Sequence, residues 1–219
     1  MARISRVVVP RHPHHVTQRG VRSMNVFDTE DDRQVYLQLI KTHAIACGVE
    51  ILAWCLMTNH VHFIAIPEEE SSLAKAFGEA HRLYTRMKNF RQDVRGYLFQ
   101  GRFSSCVLDE QHLIAAARYI EQNPVRAKMV RKPWDYQWSS AKFHMGGTDP
   151  LVADRTLLGL VKDWGELLQG EDAEANDRVR AGVKTGRPVG SQNFLKRVEA
   201  ITGRDLRKGH PGRPAKPQK

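Results

Sequence analysis

The sequence predicts an α+β fold, a ferredoxin-like or RNA-recognition-type antiparallel sheet with helices on one face, followed by a small helical appendage and a basic C-terminal tail. Three observations predict it. Extended and helical patterns succeed one another as strand, helix, strand, strand, helix, strand, helix up to residue 122. The two strands at the centre of that series are separated only by Thr58-Asn59, a hairpin turn. No internal repeat is visible, and no apolar run approaches the length needed to cross a membrane.

In order, Ile4 to Val9 and His14 to Gln18 read as short strand pieces around Pro10 and Pro13, and Arg19-Gly20 marks a turn. A first helix starts at Asp28 or Thr29, with Glu30, Asp31 and Asp32 favourable at the positive end of its dipole. Val35, Tyr36, Leu39, Ile40 and Ala44 follow at helical spacing, and Gly48 sits where the helix stops. Val49 to Met57 and His60 to Ile66 form the hairpin. A second helix, capped by Ser71 or Ser72, carries an apolar stripe from Leu73 through Ala76, Phe77, Ala80, Leu83, Tyr84 and Met87 to Phe90. Leu98 to Leu108 is extended, interrupted at Gly101-Arg102. Asp109 caps a third helix that Asn123-Pro124 ends, because the residue before proline disfavours helical dihedrals.

Beyond this the pattern changes. The expected division is residues 1–147 as the main domain, 148–183 as a small helical appendage and acidic linker, and 184–219 as a basic, Gly-Arg-Pro-containing and partly disordered DNA-binding tail. A chain ending near Gly147 is therefore expected to fold. Net charge follows the same division. The whole chain carries +10, residues 149–177 carry eight acids against Arg155 and Lys162, and residues 184–219 carry ten Lys/Arg against Glu199 and Asp205. A basic body and a more basic tail point to a polyanion, and nucleic acid fits better than a membrane because the tail lacks a bulky amphipathic helix. Three scattered cysteines without a CxxC pair argue against a disulfide scaffold or zinc ribbon. The expected location is the cytoplasm, in association with a bacterial nucleoid.

The chemistry centres on Met57-Thr58-Asn59-His60-Val61-His62-Phe63. Alternate side chains of a strand share a face, so His60 and His62 point together while Val61 and Phe63 anchor the other side. Paired neutral imidazoles form half of a metal site. Two half-buried, hydrogen-bonded histidines satisfy the same pattern. His12, His14 and His15 offer a second cluster, but Pro13 breaks its geometry. Among five tyrosines, Tyr36 and Tyr84 lie on apolar helix stripes, and Tyr97 and Tyr136 lie in loops or strand starts. Tyr119 shares its helix face with His112, Ala115, Ala116, Gln122 and Asn123, off a core stripe of Leu113, Ile114, Ala117 and Ile120. It reads as a nucleophile with space before it, or as a packing residue at a helix edge.

The motifs His15-Val16-Thr17-Gln18-Arg19-Gly20, Met57-Thr58-Asn59-His60-Val61-His62 and Gln100-Gly101-Arg102-Phe103 recur together in one known family. So do Tyr119-Ile120-Glu121-Gln122-Asn123-Pro124-Val125-Arg126 and Trp138-Ser139-Ser140. Over roughly residues 4 to 146 the chain resembles the single-tyrosine HUH transposases, in particular the REP-associated tyrosine transposases. The resemblance implies a metal-dependent endonuclease and strand transferase that acts on single-stranded DNA hairpins as a monomer or homodimer. It implies Tyr119 as nucleophile, and His60, His62 and Asn123 as ligands of Mg²⁺ or Mn²⁺. Related insertion-sequence enzymes carry glutamine at the third position, so asparagine is a departure, and Gln122 is the runner-up. Imidazole prefers zinc-like metals to magnesium, which implies weak metal binding until phosphate oxygens complete the shell.

Arg19, Arg22, Arg102, Arg187 and Arg213 are the candidate phosphate contacts, with ordinary solvated arginines as the competing reading. Gly186-Arg187-Pro188 and Gly212-Arg213-Pro214 resemble minor-groove-reading elements. The alternative from another class is a hairpin DNA- or RNA-binding protein on the same scaffold that no longer cuts. A metal-dependent hydrolase without a covalent intermediate is a third reading, and it has no use for Tyr119.

Overall fold

The structure, a computed structural model, describes residues 4–170 and 172–207. Its centre is a four-stranded antiparallel sheet in the order β2-β3-β1-β4, where β1 is His14–Arg19, β2 Val49–Leu56, β3 His60–Pro67 and β4 Ser104–Val107. This is the ferredoxin-like α+β plan that the element order predicts. The expected strand at residues 4–9 does not form, although Val7 and Val9 are buried, and of Leu98–Leu108 only Ser104–Val107 joins a strand.

Period two places Val61, Phe63 and Ala65 of β3 with Val16, Trp54 and Leu56 on one face. Against it lie α1 (Glu30–Ala46) and α2 (Ser72–Arg91). The first turn of α1 closes a capping box, with Thr29 accepting from the Asp32 amide and the Asp32 carboxylate accepting from Thr29 N–H. On the other face β3 presents His60, His62 and Ile64. A bulge between Ile51 and Ala53 lets Leu52 and Ala53 both turn toward Ile64 on that side. Its apolar surface (Ala53, Cys55, Ile64, Cys106) is covered by α3 (Glu110–Glu121) and α8 (Ala173–Thr185). Helices thus cover both faces, where the sequence suggested one.

The first core holds a polar pair whose titration is testable. Tyr36 Oη and His81 Nε2 lie 2.8 Å apart, both buried. Burial drives the His81 pKa down to about 3. An unfolded histidine titrates near 6.5, so between these values the unfolded state takes up a proton that the folded state does not. Acidification therefore destabilises, and the contribution is fully present only above pH 6.5. At pH 5 the loss amounts to about 2 kcal/mol. His81→Gln, which keeps a hydrogen-bonding side chain without the titration, is expected to flatten stability against pH between 4 and 6.5, measured by urea unfolding. An unchanged slope contradicts this.

The C-terminal third is built into the same molecule. After α3, Gln122 turns and one further helical turn, α4 (Asn123–Arg126), follows, since proline is tolerated in a first turn. Three short helices come next, α5 (Ala141–His144), α6 (Thr156–Gly159) and α7 (Trp164–Gln169), and α9 (Gln192–Thr202) follows α8. Buried Glu121 at the end of α3 accepts from Ser140 Oγ and from Trp164 Nε1 (2.8 Å) and pairs with His144 Nδ1 (2.6 Å). Gly182 lets α8 settle on β4, because an added Cβ lies 2.1 Å from Val189 Cγ2 and 3.2 Å from Cys106 Sγ. Phe194, Val198 and Leu206 cover Val7, Val9 and Val107.

The expected boundaries at 147/148 and 183/184 are therefore not packing boundaries. The acidic stretch after Gln169 supplies Asp172, which caps α8 through Ala175 N–H. Ending the chain at Gly147 strips Leu157, Trp164, Leu168, Val179 and Val189 from the core. At about 2–5 kcal/mol for each large apolar side chain, this exceeds a typical domain's whole stability. The truncated chain is expected to lose cooperative unfolding. A sharp thermal transition near that of the full chain contradicts this.

Candidate active site

Strand β3 places His60 half-buried and His62 buried on the α3 side, with ring centroids 5.0 Å apart. Burial lowers the His60 pKa to about 4, with Arg19 adding to the effect. It holds His62 well below its ordinary value, helped by His15, His60 and Arg126. Both rings are neutral, as metal ligands must be. His60 Nδ1 donates to Asn59 Oδ1 (2.6 Å), which leaves its Nε2 lone pair open. His62 Nδ1 lies 2.9 Å from Nε2 of His15 on β1, which is itself buried with a pKa down to about 3. With His62 donating, it too presents Nε2. His15 thus fixes the orientation of the His62 ring, as an outer-shell partner would. The sequence placed His15 in a motif but gave it no such part, since the partner lies across a strand pair.

Tyr119 stands half-buried on α3, facing this pair. Its ring centroid lies 5.9 Å from that of His62 and 6.1 Å from that of His15, edge-on to both. The other tyrosines are elsewhere. Tyr36 and Tyr84 are buried in the first core, where Tyr84 Oη donates to Val26 O, and Tyr136 Oη donates to Leu56 O. Tyr97 is exposed. Ala116, expected beside Tyr119, is instead fully buried against the sheet, while Ile114 is only half-buried. The inward stripe of α3 is Leu113, Ala116, Ala117 and Ile120. Two arginines lie over the Tyr119 ring, with Cζ of Arg126 at 4.2 Å and of Arg180 at 5.6 Å from the centroid. Neither was singled out from the sequence.

The third-ligand candidates differ. Gln122 Nε2 donates to the carbonyls of Leu168 (2.7 Å) and Gly170 (2.9 Å), tying α3 to α7. Asn123 Oδ1 accepts from Arg126 Nη2 (2.8 Å), and its buried Nδ2 finds no partner. An amide oxygen has two lone pairs, so Asn123 keeps one for a cation. Two neutral imidazoles and an amide oxygen suit a hard-to-borderline divalent metal. Among the described residues no three His, Cys, Asp or Glu side chains converge on one point. His12, His14 and His15 form no cluster. His14 turns away from His15, accepting from Val9 N–H and meeting His12 O with its other nitrogen.

The DNA-contact candidates fall in different places. Arg19 is exposed and pairs across the sheet with His60, which puts it at the rim of the site. Arg22 is exposed with a left-handed φ of 50°. Arg102 borders a cavity of about 610 Å³ with Tyr97 and Phe99. Arg187 donates to Leu206 O (3.2 Å), which binds the C-terminal strap to the turn after α8. Arg213 lies outside the described residues. No helix among the described residues is long and apolar enough to cross a membrane.

Comparison with known proteins follows this geometry. Residues 9–123 match the model of a family described as IS200-like transposases. The chain is similar to a solved REP-associated tyrosine transposase bound to a REP hairpin, with 19% identity, a TM-score of 0.58, and coverage of 72% of this chain and 93% of that one. At that identity the likeness speaks for the fold. A presumptive transposase from Deinococcus radiodurans R1 aligns at 16% identity over 55% of this chain and 97% of its own, with a TM-score of 0.38. No curated protein matches.

Proposed function

This chain belongs to the IS200-like transposase family, and we propose that it is a metal-dependent endonuclease and strand transferase of the REP-associated kind, cutting single-stranded DNA at hairpins through a 5′-phosphotyrosine on Tyr119. The observation that carries this reading is Tyr119 on α3, its ring 5.9 Å from that of His62, as the only tyrosine among the described residues with a ring contact to the histidine pair. A silent hairpin-binding protein has no use for that juxtaposition. The net charge of +10 supports a nucleic-acid partner, and the solved relative carries a REP hairpin.

The chemistry is a transesterification. The Tyr119 oxygen attacks phosphorus in line, the P–O3′ bond breaks, and the strand downstream of the cut stays on the tyrosine through its 5′-phosphate. The phenol gives up its proton, and the departing 3′ oxygen takes one up as a free hydroxyl. One phosphodiester replaces another, so a second 3′-hydroxyl reverses the step on a new strand without ATP. His60, His62 and Asn123 are the residues to hold Mg²⁺ or Mn²⁺, which when bound supplies electrostatic stabilisation of the phosphoryl oxygens. His15 and Asn59 hold the two rings in the ligand tautomer. Flexible single strand is required because duplex DNA cannot bring its phosphate in line with a half-buried phenol. Arg19 at the rim of the site, with Arg22 and Arg102 further out on the surface, are the phosphate contacts proposed. The setting is the cytoplasm, at the nucleoid.

The test is incubation of a REP-type DNA hairpin with single-stranded flanks and Mn²⁺. The expected product has a 3′ end that a polymerase extends and a 5′ end that remains with protein. Tight binding without any cut establishes the silent binder instead, and two protein-free ends establish a hydrolase.

A further inference from the structure

Two positive side chains meet at the Tyr119 ring with little negative charge to hold them there. Arg126 comes from the one-turn helix after the nucleophile. Its Nη2 donates to Tyr119 O and to Asn123 Oδ1. Arg180 comes from α8, some sixty residues further on, and pairs with the solvent-exposed carboxylate of Asp177 (3.1 Å). Both guanidiniums lie on the one ring, with Cζ 4.2 Å and 5.6 Å from its centroid, close enough to repel. Glu121, the carboxylate nearest to Arg126 in sequence, does not answer this charge, because it is spent on Ser140, His144 and Trp164. Like charges brought together at one ring stabilise an incoming anion more than they stabilise the empty site.

We propose that Arg126 and Arg180 form a seat for the phosphate that Tyr119 attacks, so that α8, a helix outside the family-matched segment, completes the active site. A planar guanidinium offers paired donors to two non-bridging phosphate oxygens, which a lysine does not. Arg126, half-buried and held by Tyr119 O, Asn123 Oδ1 and Gln122 Oε1, sets the position. Arg180, with its side chain half exposed, closes from the solvent side. Gly182 is what allows α8 to lie close enough to β4 for this. The inference rests on the nuclease reading for what the phosphate undergoes, but the seat itself is a binding claim.

The test separates the two. Using Tyr119→Phe protein, which binds without reacting, affinity is measured for a REP-type hairpin DNA carrying one uncharged methylphosphonate at each position of its single-stranded flank in turn. One position is expected to weaken binding about tenfold, the size of a lost charged contact. In the Arg180→Gln, Tyr119→Phe protein that same substitution is expected to cost several-fold less, because only Arg126 still faces the phosphate, with the other positions unaffected. Arg180→Lys is expected to lie between. In the presence of Tyr119, Arg180→Gln is expected to slow adduct formation at saturating DNA. If every methylphosphonate costs the same with and without Arg180, the seat is overturned, whatever the nicking activity. If the coupling is found while the parent protein forms no adduct, the seat stands and the nuclease reading falls. Because Arg180 is largely exposed, its loss leaves the fold intact, and a matched thermal transition verifies this.

Discussion

Tyr119→Phe is expected to abolish both DNA nicking and the covalent adduct while leaving fold and hairpin affinity nearly unchanged. The substitution removes one half-buried hydroxyl, and the ring keeps its edge contacts with His15 and His62. Arg126 at 4.2 Å retains an aromatic face to lie over. A stability change within about 1 kcal/mol follows, as for other isosteric changes. Removing the Tyr36 or Tyr84 hydroxyl is expected to act in the opposite sense. Each is committed to a buried hydrogen bond, with His81 or Val26 O, so stability falls and cleavage persists. Gel-resolved cleavage and urea unfolding on the three variants check this. Persistent nicking by Tyr119→Phe contradicts the assignment.

His60→Ala and His62→Ala are each expected to reduce cleavage below detection while hairpin binding survives. They differ in their effect on the fold. His60 is half-buried, with its hydrogen bond to adjacent Asn59, so its loss is mild. His62 is buried and bonded to His15 Nε2, so its loss costs about 1–3 kcal/mol for the orphaned buried group. Thermal shift with added Mn²⁺ distinguishes ligation from packing. Metal is expected to raise the midpoint of the parent protein and of neither variant. An equal shift in all three returns the histidines to a structural part.

What the sequence disclosed and what it hid follow from the range of the interactions. Local signals held. Thr29 with Asp32 forms the capping box, and His60 and His62 share a face opposite Val61 and Phe63, because both patterns are written within four residues. The role of His15 depends on the register of β1 with β3, and that of Arg180 on α8 lying over α3, neither of which periodicity encodes. Ala116 shows a subtler limit. Whether the α3 stripe runs through Ile114 or Ala116 depends on the rotation of the helix against the sheet, and two adjacent apolar residues cannot decide it. The C-terminal third misled for another reason. Its helices are short and its composition charged, so it reads as an appendage, yet Trp164, Leu168, Val179 and Val189 close the core that α3 leaves open.

The most direct measurement is peptide mapping of the protein–DNA adduct. The protein is incubated with a REP-type single-stranded hairpin and Mn²⁺, then digested with protease and nuclease, and the nucleotide-bearing peptide is sequenced by mass spectrometry. The account predicts a single modified residue, Tyr119, bearing a 5′-phosphate. A nucleotide on any other residue, or cleavage with no modified peptide, contradicts it.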